Sequence, residues 1–162
     1  MSIYSIGSAN NGGGTTTPGE FIFPADTLSV GDCVTLATEE PMFLDYFGCG
    51  PTYTNAVINV NGDDAIELFC NDILIDIFGD ANVDGTGQPW EYTDGWAARL
   101  TSSTFPTTTF SASDWVVAPD QTPDMHHFND NGMRTVDCPT CLEIDVVTSV
   151  FCSDANLSLI HI

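Results

Sequence analysis

The stretch Ala65-Ile66-Glu67-Leu68-Phe69-Cys70-Asn71-Asp72-Ile73-Leu74-Ile75-Asp76-Ile77-Phe78 decides the fold class. Two runs rich in aliphatic and aromatic side chains flank the dipeptide Asn71-Asp72. Asn and Asp tolerate the positive φ that a two-residue hairpin turn requires. The stretch therefore predicts antiparallel strands over 65–70 and 73–78. Immediately upstream, Asn61-Gly62-Asp63-Asp64 reads as a sharp turn, and Ala56–Val60 before it reads as another strand.

Further upstream, Ile3–Ile6 is a short candidate strand, followed by the flexible loop Asn10-Asn11-Gly12-Gly13-Gly14. Phe21-Ile22-Phe23 is stopped by Pro24, and Leu28–Asp32 turns into Cys33–Thr38, which alternates as a half-buried strand does. Thr38-Glu39-Glu40-Pro41 predicts a helix start, with a hydroxyl cap and acids in the first turn where the dipole favours them. Phe43, Leu44 and Phe47 keep helical spacing and Gly48 ends the helix. Downstream, Trp115–Ala118 and Leu142–Phe151 are strand patterns. Short strands separated by turn residues at close spacing predict an all-β sandwich or barrel with one short helix. No repeat or long linker divides the chain, so residues 1–162 are read as a single domain. A globule of this length buries roughly 70% of its unfolded surface, enough for a core.

The charge balance excludes whole classes of partner. There are 23 acidic residues and two basic ones, Arg99 and Arg134, for a net charge of −21. Two arginines cannot displace the counterions of a nucleic acid, and the field repels phosphate. Anionic membrane surfaces are disfavoured for the same reason. No apolar run approaches the ~20 residues that cross a bilayer, and Met1-Ser2-Ile3-Tyr4 does not open a signal peptide. If the protein is secreted, the sequence is a mature or truncated form. Clustered carboxylates suit either plain solubility or divalent cations.

Six cysteines, Cys33, Cys49, Cys70, Cys138, Cys141 and Cys152, form an even set spread along the chain. In an oxidising compartment they read as up to three disulfides, whose connectivity the sequence does not choose. Cys138-Pro-Thr-Cys141 has no second close pair for zinc, and the strand pattern after it is unlike a thioredoxin site. The expectation is an extracellular protein. Asn156-Leu157-Ser158 is one N-glycosylation sequon, and the Thr/Ser-rich stretches 15–18 and 101–113 suit O-linked sugar. The apolar run Leu157–Ile162 ends abruptly and reads either as a strand or as a sequence artefact.

Three further segments carry a family resemblance. They are Asn61-Gly62-Asp63-Asp64-Ala65-Ile66-Glu67-Leu68, then Ile75-Asp76-Ile77-Phe78-Gly79, then Trp90-Glu91-Tyr92-Thr93-Asp94-Gly95-Trp96-Ala97-Ala98-Arg99. Together, over Pro51–Arg99, they resemble the lamin-tail domain as it occurs in secreted bacterial and environmental proteins. Weaker similarity touches Tyr4–Gly7 and Asp114-Trp115. The resemblance implies an immunoglobulin-like antiparallel β-sandwich with no catalytic machinery of its own. It also implies structural roles for Asp63, Asp64, Trp96 and Arg99, with Arg99 paired to a carboxylate of the turn or of a neighbouring strand. Family members usually carry two strands before the point where this chain begins. Three arrangements accommodate their apparent absence: an incomplete fragment, a strand supplied from region 141–152, or a strand supplied by a neighbouring molecule.

Asp80-Ala81-Asn82-Val83-Asp84-Gly85-Thr86-Gly87-Gln88-Pro89-Trp90-Glu91 matches the EF-hand loop pattern. The ligands to calcium would be Asp80, Asn82, Asp84, the Thr86 carbonyl and Glu91, with weak affinity on the order of 10⁻⁴–10⁻³ M. No flanking helices are expected, and Gly87 replaces the usual apolar residue, so an ordinary acidic turn is the competing reading. Asp124-Met125-His126-His127 places adjacent histidines that would face opposite sides of a strand, a poor metal pair. No nucleophile elbow or phosphate-binding glycine loop is present.

The functional expectation is non-catalytic: an extracellular structural subunit that polymerises head to tail with copies of itself, by strand complementation, with calcium and glycans offsetting the charge. The alternative is a binding or adhesion module cut from a larger secreted protein such as a nuclease. An independent hydrolase using Asp124 or His126 is the least supported reading.

Overall fold

The structure is a computed structural model that describes residues 3–15, 18–25, 34–93, 95–100, 103 and 106–118. The strand expected over Leu142–Phe151, the cysteines 33, 138, 141 and 152, the Asp124–His127 cluster and Asn156 lie outside the described residues. The described residues are mostly strands in small, chiefly antiparallel sheets, with one short α-helix.

Strands β1 (Tyr4–Ala9), β2 (Phe21–Ile22), β5 (Ala65–Cys70) and β6 (Ile73–Phe78) form a four-stranded antiparallel sheet in the order β2-β1-β5-β6. Strands β3 (Leu36–Ala37) and β4 (Tyr53–Thr54) make a two-stranded parallel pair. Strands β7 (Trp96–Arg99) and β8 (Trp115–Ala118) make a two-stranded antiparallel pair.

The β5–β6 hairpin has the expected bounds, and both turn residues take positive φ: 48° at Asn71 and 61° at Asp72. Pairs of this kind twist with the strands they join. β5 is buried at every position, because β1 and β6 flank it and packed residues cover both of its faces. β6 carries a bulge: Leu68 pairs with Asp76 but Phe69 pairs with Leu74, which leaves Ile75 as the extra residue. After the bulge Asp76, Ile77 and Phe78 are all buried, while Ile73 before it is exposed.

Two expectations need correction. Ala56–Val60 is not a strand: Ala56–Ile58 is a turn of 3₁₀ helix. The Asn55 side chain accepts the Val57 N–H at 2.9 Å, offering the backbone a local bond in place of a ladder. The helix α1 spans Glu40–Phe47, and Glu39 rather than Thr38 stands at its cap, with no side-chain capping bond. Pro41 in the first turn sets the start, since its fixed φ suits that position. The end is as expected, with Gly48 left-handed at φ 76° and its N–H on the Leu44 carbonyl at 2.8 Å. The strand expected over Cys33–Thr38 is confined to Leu36–Ala37 among the described residues.

The main core cluster draws on residues of β1, β5, β6, β7 and β8 and of the loop after β6. Phe78 is fully buried at its centre, with ring centroids 4.8 Å from Trp115, 5.5 Å from Phe110 and 5.6 Å from Tyr92. Ile6, Ile66, Leu68 and Trp90 close around it. Cys49 and Cys70 are both disulfide-bonded. No helix among the described residues is long and apolar enough to cross a membrane.

Burial sets the pH response. Desolvation pushes the Glu67 carboxyl up; the Thr15 hydroxyl donating to it at 2.8 Å opposes this, and nearby Glu20 adds to it. A carboxyl raised in the folded state binds more protons there than in the unfolded chain, so stability rises as pH falls through that window. Asp84 is held low by the Thr86 N–H and hydroxyl, and its contribution is lost only below the ordinary carboxylate range. Lowering pH also relieves the self-repulsion of a net charge of −21. Melting temperature is therefore expected to be higher at mildly acidic than at neutral pH and to fall again in strong acid. A monotonic decline on acidification from pH 8 would contradict this.

Candidate functional site

Three loops meet at one end of the main sheet: the segment after β1, the 61–64 turn before β5, and the long loop after β6. Glycines permit the contact. Gly62 has φ +100°, and a Cβ there would meet Thr93 N at 2.6 Å. A Cβ on Gly85 would collide with the Asp63 carbonyl, and one on Gly12 with the Asp84 amide. Backbone bonds then fasten the loops: Gly85 N–H donates to the Asp63 carbonyl at 3.0 Å, Tyr92 N–H to Gly62 at 2.9 Å and Gly14 N–H to Ala81 at 2.7 Å.

Both acids of the turn accept hydrogen bonds from neighbouring loop groups. Asp64 Oδ1 accepts the Asn11 N–H at 2.8 Å and its Oδ2 the Asn61 N–H at 3.4 Å. Asp63 Oδ2 accepts the Thr86 hydroxyl at 3.0 Å. Tyr92 is buried beside them, and desolvation, reinforced by Asp64 and Asp63, pushes its phenol up. It stays neutral at any ordinary pH.

The five residues of the calcium motif all lie on the loop after β6, and their carboxylates bind the loop itself. Asp80 Oδ1 accepts the Asn82 N–H at 2.9 Å, and Asp84 Oδ1 accepts the Thr86 N–H at 3.0 Å. Glu91 accepts the Gly87 N–H at 2.7 Å and the Thr93 hydroxyl at 3.2 Å. Among the described residues no group of three or more His, Cys, Asp or Glu is arranged to hold a metal ion. The loop shows Asx-type turns, for which Asp and Asn are suited without any ligand.

The second constellation joins the sheets. Arg99 on β7 reaches Asp76 on β6 with Nη2 2.6 Å from Oδ1 and 2.8 Å from Oδ2. Thr107 and Ile77 each donate a backbone N–H to the same Oδ1 at 3.0 Å. The guanidinium lies 4.5 Å from the Trp115 ring centroid, a cation–π contact. Asp76 is fully buried and the Arg99 side chain nearly so. Burial pushes the Asp76 carboxyl up, opposed by the Thr107 N–H, Arg99 and the Ile77 N–H. Arg99 pairs with a carboxylate, as the resemblance implies, and the partner is Asp76, the one acid of an otherwise apolar strand in the other sheet.

Comparison with protein-family models, with curated proteins and with solved structures returns no match.

Proposed function

We propose that the chain is a non-catalytic, extracellular structural subunit that assembles with copies of itself by adding strands at an open sheet edge. The observation that carries this reading is the outer edge of β6. β6 is the outermost strand of its sheet among the described residues, and its first half, Ile73-Leu74-Ile75, is apolar, with Ile73 65% exposed. Edge strands are usually guarded by charge, above all lysine, or by proline; this stretch has neither, and the chain has no lysine. The bulge at Ile75 limits the open edge to a few residues. On this reading the two main sheets are the layers of a lamin-tail-like β-sandwich, stapled by disulfides, and the residues of the resemblance supply its loop clamps and its buried ion pair. A charge of −21 per subunit opposes stacking, which divalent cations or glycans would offset.

The test is negative-stain microscopy and light scattering on the full chain, with calcium and with a chelator. Regular filaments are expected, and Ile73→Lys, a change at an exposed position, is expected to leave the fold intact and prevent them. Single particles in every condition would sink the assembly reading and favour a binding module of a larger secreted protein. Assembly unaffected by Ile73→Lys would move the contact away from β6.

A further inference from the structure

The two edges of the four-stranded sheet are complementary in direction and in level. Every pairing in the sheet is antiparallel, so β2 and β6, at its two ends, run opposite ways. A second copy displaced across the sheet, without being turned over, lays its β2 antiparallel to β6 of the first.

The outward-facing backbone groups of the two edges stand in one row. Phe23 donates its N–H to the Tyr4 carbonyl at 3.1 Å, so the alternation of the ladder points the N–H and C=O of Ile22 away from β1. On β6 the two-residue turn bonds Ile73 back to Cys70, so the N–H and C=O of Leu74 point away from β5. The pairings place both residues in the row Ile22–Ser5–Phe69–Leu74. Beyond the bulge, the outward N–H of Ile77 is already taken by Asp76 Oδ1 at 3.0 Å. On the other edge, Pro24 has no N–H to offer.

Charge also selects these edges. In a chain of net charge −21, Phe21-Ile22-Phe23 and Ile73-Leu74-Ile75 carry none. Of the flanking acids, Glu20 accepts the Ser8 N–H at 3.0 Å and Asp76 is paired with Arg99. Asp72, in the turn, comes level with Pro24 of the displaced copy rather than with an acid. Ile22 and Ile73 are 60% and 65% exposed, an apolar surface that the contact covers.

We infer that the surface received by the β6 edge is the β2 edge of a second copy of this chain. Leu74 and Ile22 exchange two backbone hydrogen bonds across the contact, Ile73 packs beside Phe23, and Leu74 beside Ile22. The contact joins two different surfaces and leaves a free β2 edge at one end and a free β6 edge at the other, so repetition extends it into a filament. A contact this short is weak, which makes assembly reversible and dependent on concentration. The inference rests on the assembly reading and adds to it the second of the two surfaces.

The experiment is amide hydrogen exchange, read by NMR on the full, disulfide-intact chain when dispersed and when assembled. The Ile22 and Leu74 amides are expected to exchange freely in the dispersed chain and to slow together by at least about tenfold on assembly. Slowing at Leu74 without Ile22 would overturn the inference and point to a contact between two β6 edges. Protection of Leu74 in the dispersed chain would also overturn it, by showing a segment of the same chain on that edge. Ile22→Pro removes an N–H that faces outward, so the sheet keeps its ladder. A folded Ile22→Pro chain is expected to lose filaments as Ile73→Lys does. Filaments from that variant would refute the β2 contact and leave the assembly reading standing. Single particles from the parent chain in every condition would sink the assembly reading itself, and the inference with it.

Discussion

Arg99→Met is expected to remove about 3–5 kcal/mol of folding stability. The reason is Asp76 rather than the lost attraction. Asp76 is fully buried, and with Met at position 99 it keeps only the Thr107 and Ile77 amides. A buried charge with two donors and no counter-ion is far more costly than the pair it came from. Met keeps much of the arginine stem's volume while losing the guanidinium over Trp115, so the change removes chiefly the charged head. Asp76→Leu combined with Arg99→Met should recover much of the loss, because replacing both members of a buried pair by apolar groups is often neutral or stabilising. Urea unfolding of the two single variants and the double gives the coupling directly. If Arg99→Met changes stability by under 1 kcal/mol, about the value of an exposed pair, the ion pair is not the bolt between the sheets.

Phe78→Ala should cost a similar amount, about 3–5 kcal/mol, by a different mechanism. Phe78 has no exposed surface and meets Trp115, Phe110 and Tyr92 edge-on. Its removal leaves a cavity bounded by three rigid rings, which relax poorly. Phe78→Leu, which fills more of that volume, should cost less. Trp fluorescence is a second readout, since Trp115 packs on the deleted ring. Equal losses for Ala and Leu would show that edge-to-face geometry, not volume, sets the stability here.

The sequence made the β5–β6 hairpin legible because pattern and turn agree: two apolar runs joined by two residues that accept positive φ. The same agreement fixed β8 and the end of α1. The strand expected at 56–60 failed because an Asn one residue upstream captured a backbone amide, and apolar periodicity does not register such a bond. β7 is not legible as a strand because Trp96-Ala97-Ala98-Arg99 has no clean alternation, and its partner β8 arrives only after an intervening segment. At the loop junction the sequence showed many acids but not their allegiance. Asp80, Asp84 and Glu91 match a ligand spacing, and each accepts an N–H of its own loop at the surface. The resemblance implies a structural role for Asp63; that its Oδ2 takes the Thr86 hydroxyl, and that Gly85 closes against its carbonyl, are tertiary facts the sequence does not carry.

The sheet order has a bearing on how the chain comes together. β1 sits between β2 and β5, and its register runs from Tyr4 opposite Cys70 to Ala9 opposite Ala65. It is therefore translated long before its main partner exists. The β5–β6 hairpin closes a two-residue loop and forms on a microsecond scale, whereas β1 must return across the intervening chain and meet the entropy of a long loop closure. The hairpin is thus the template and β1 the late arrival. Until it docks, β5, the most deeply buried strand of the sheet, presents a bare edge. Folding rate and aggregation during refolding are governed by that wait, and so by residues 10–64 that span it rather than by the strands themselves.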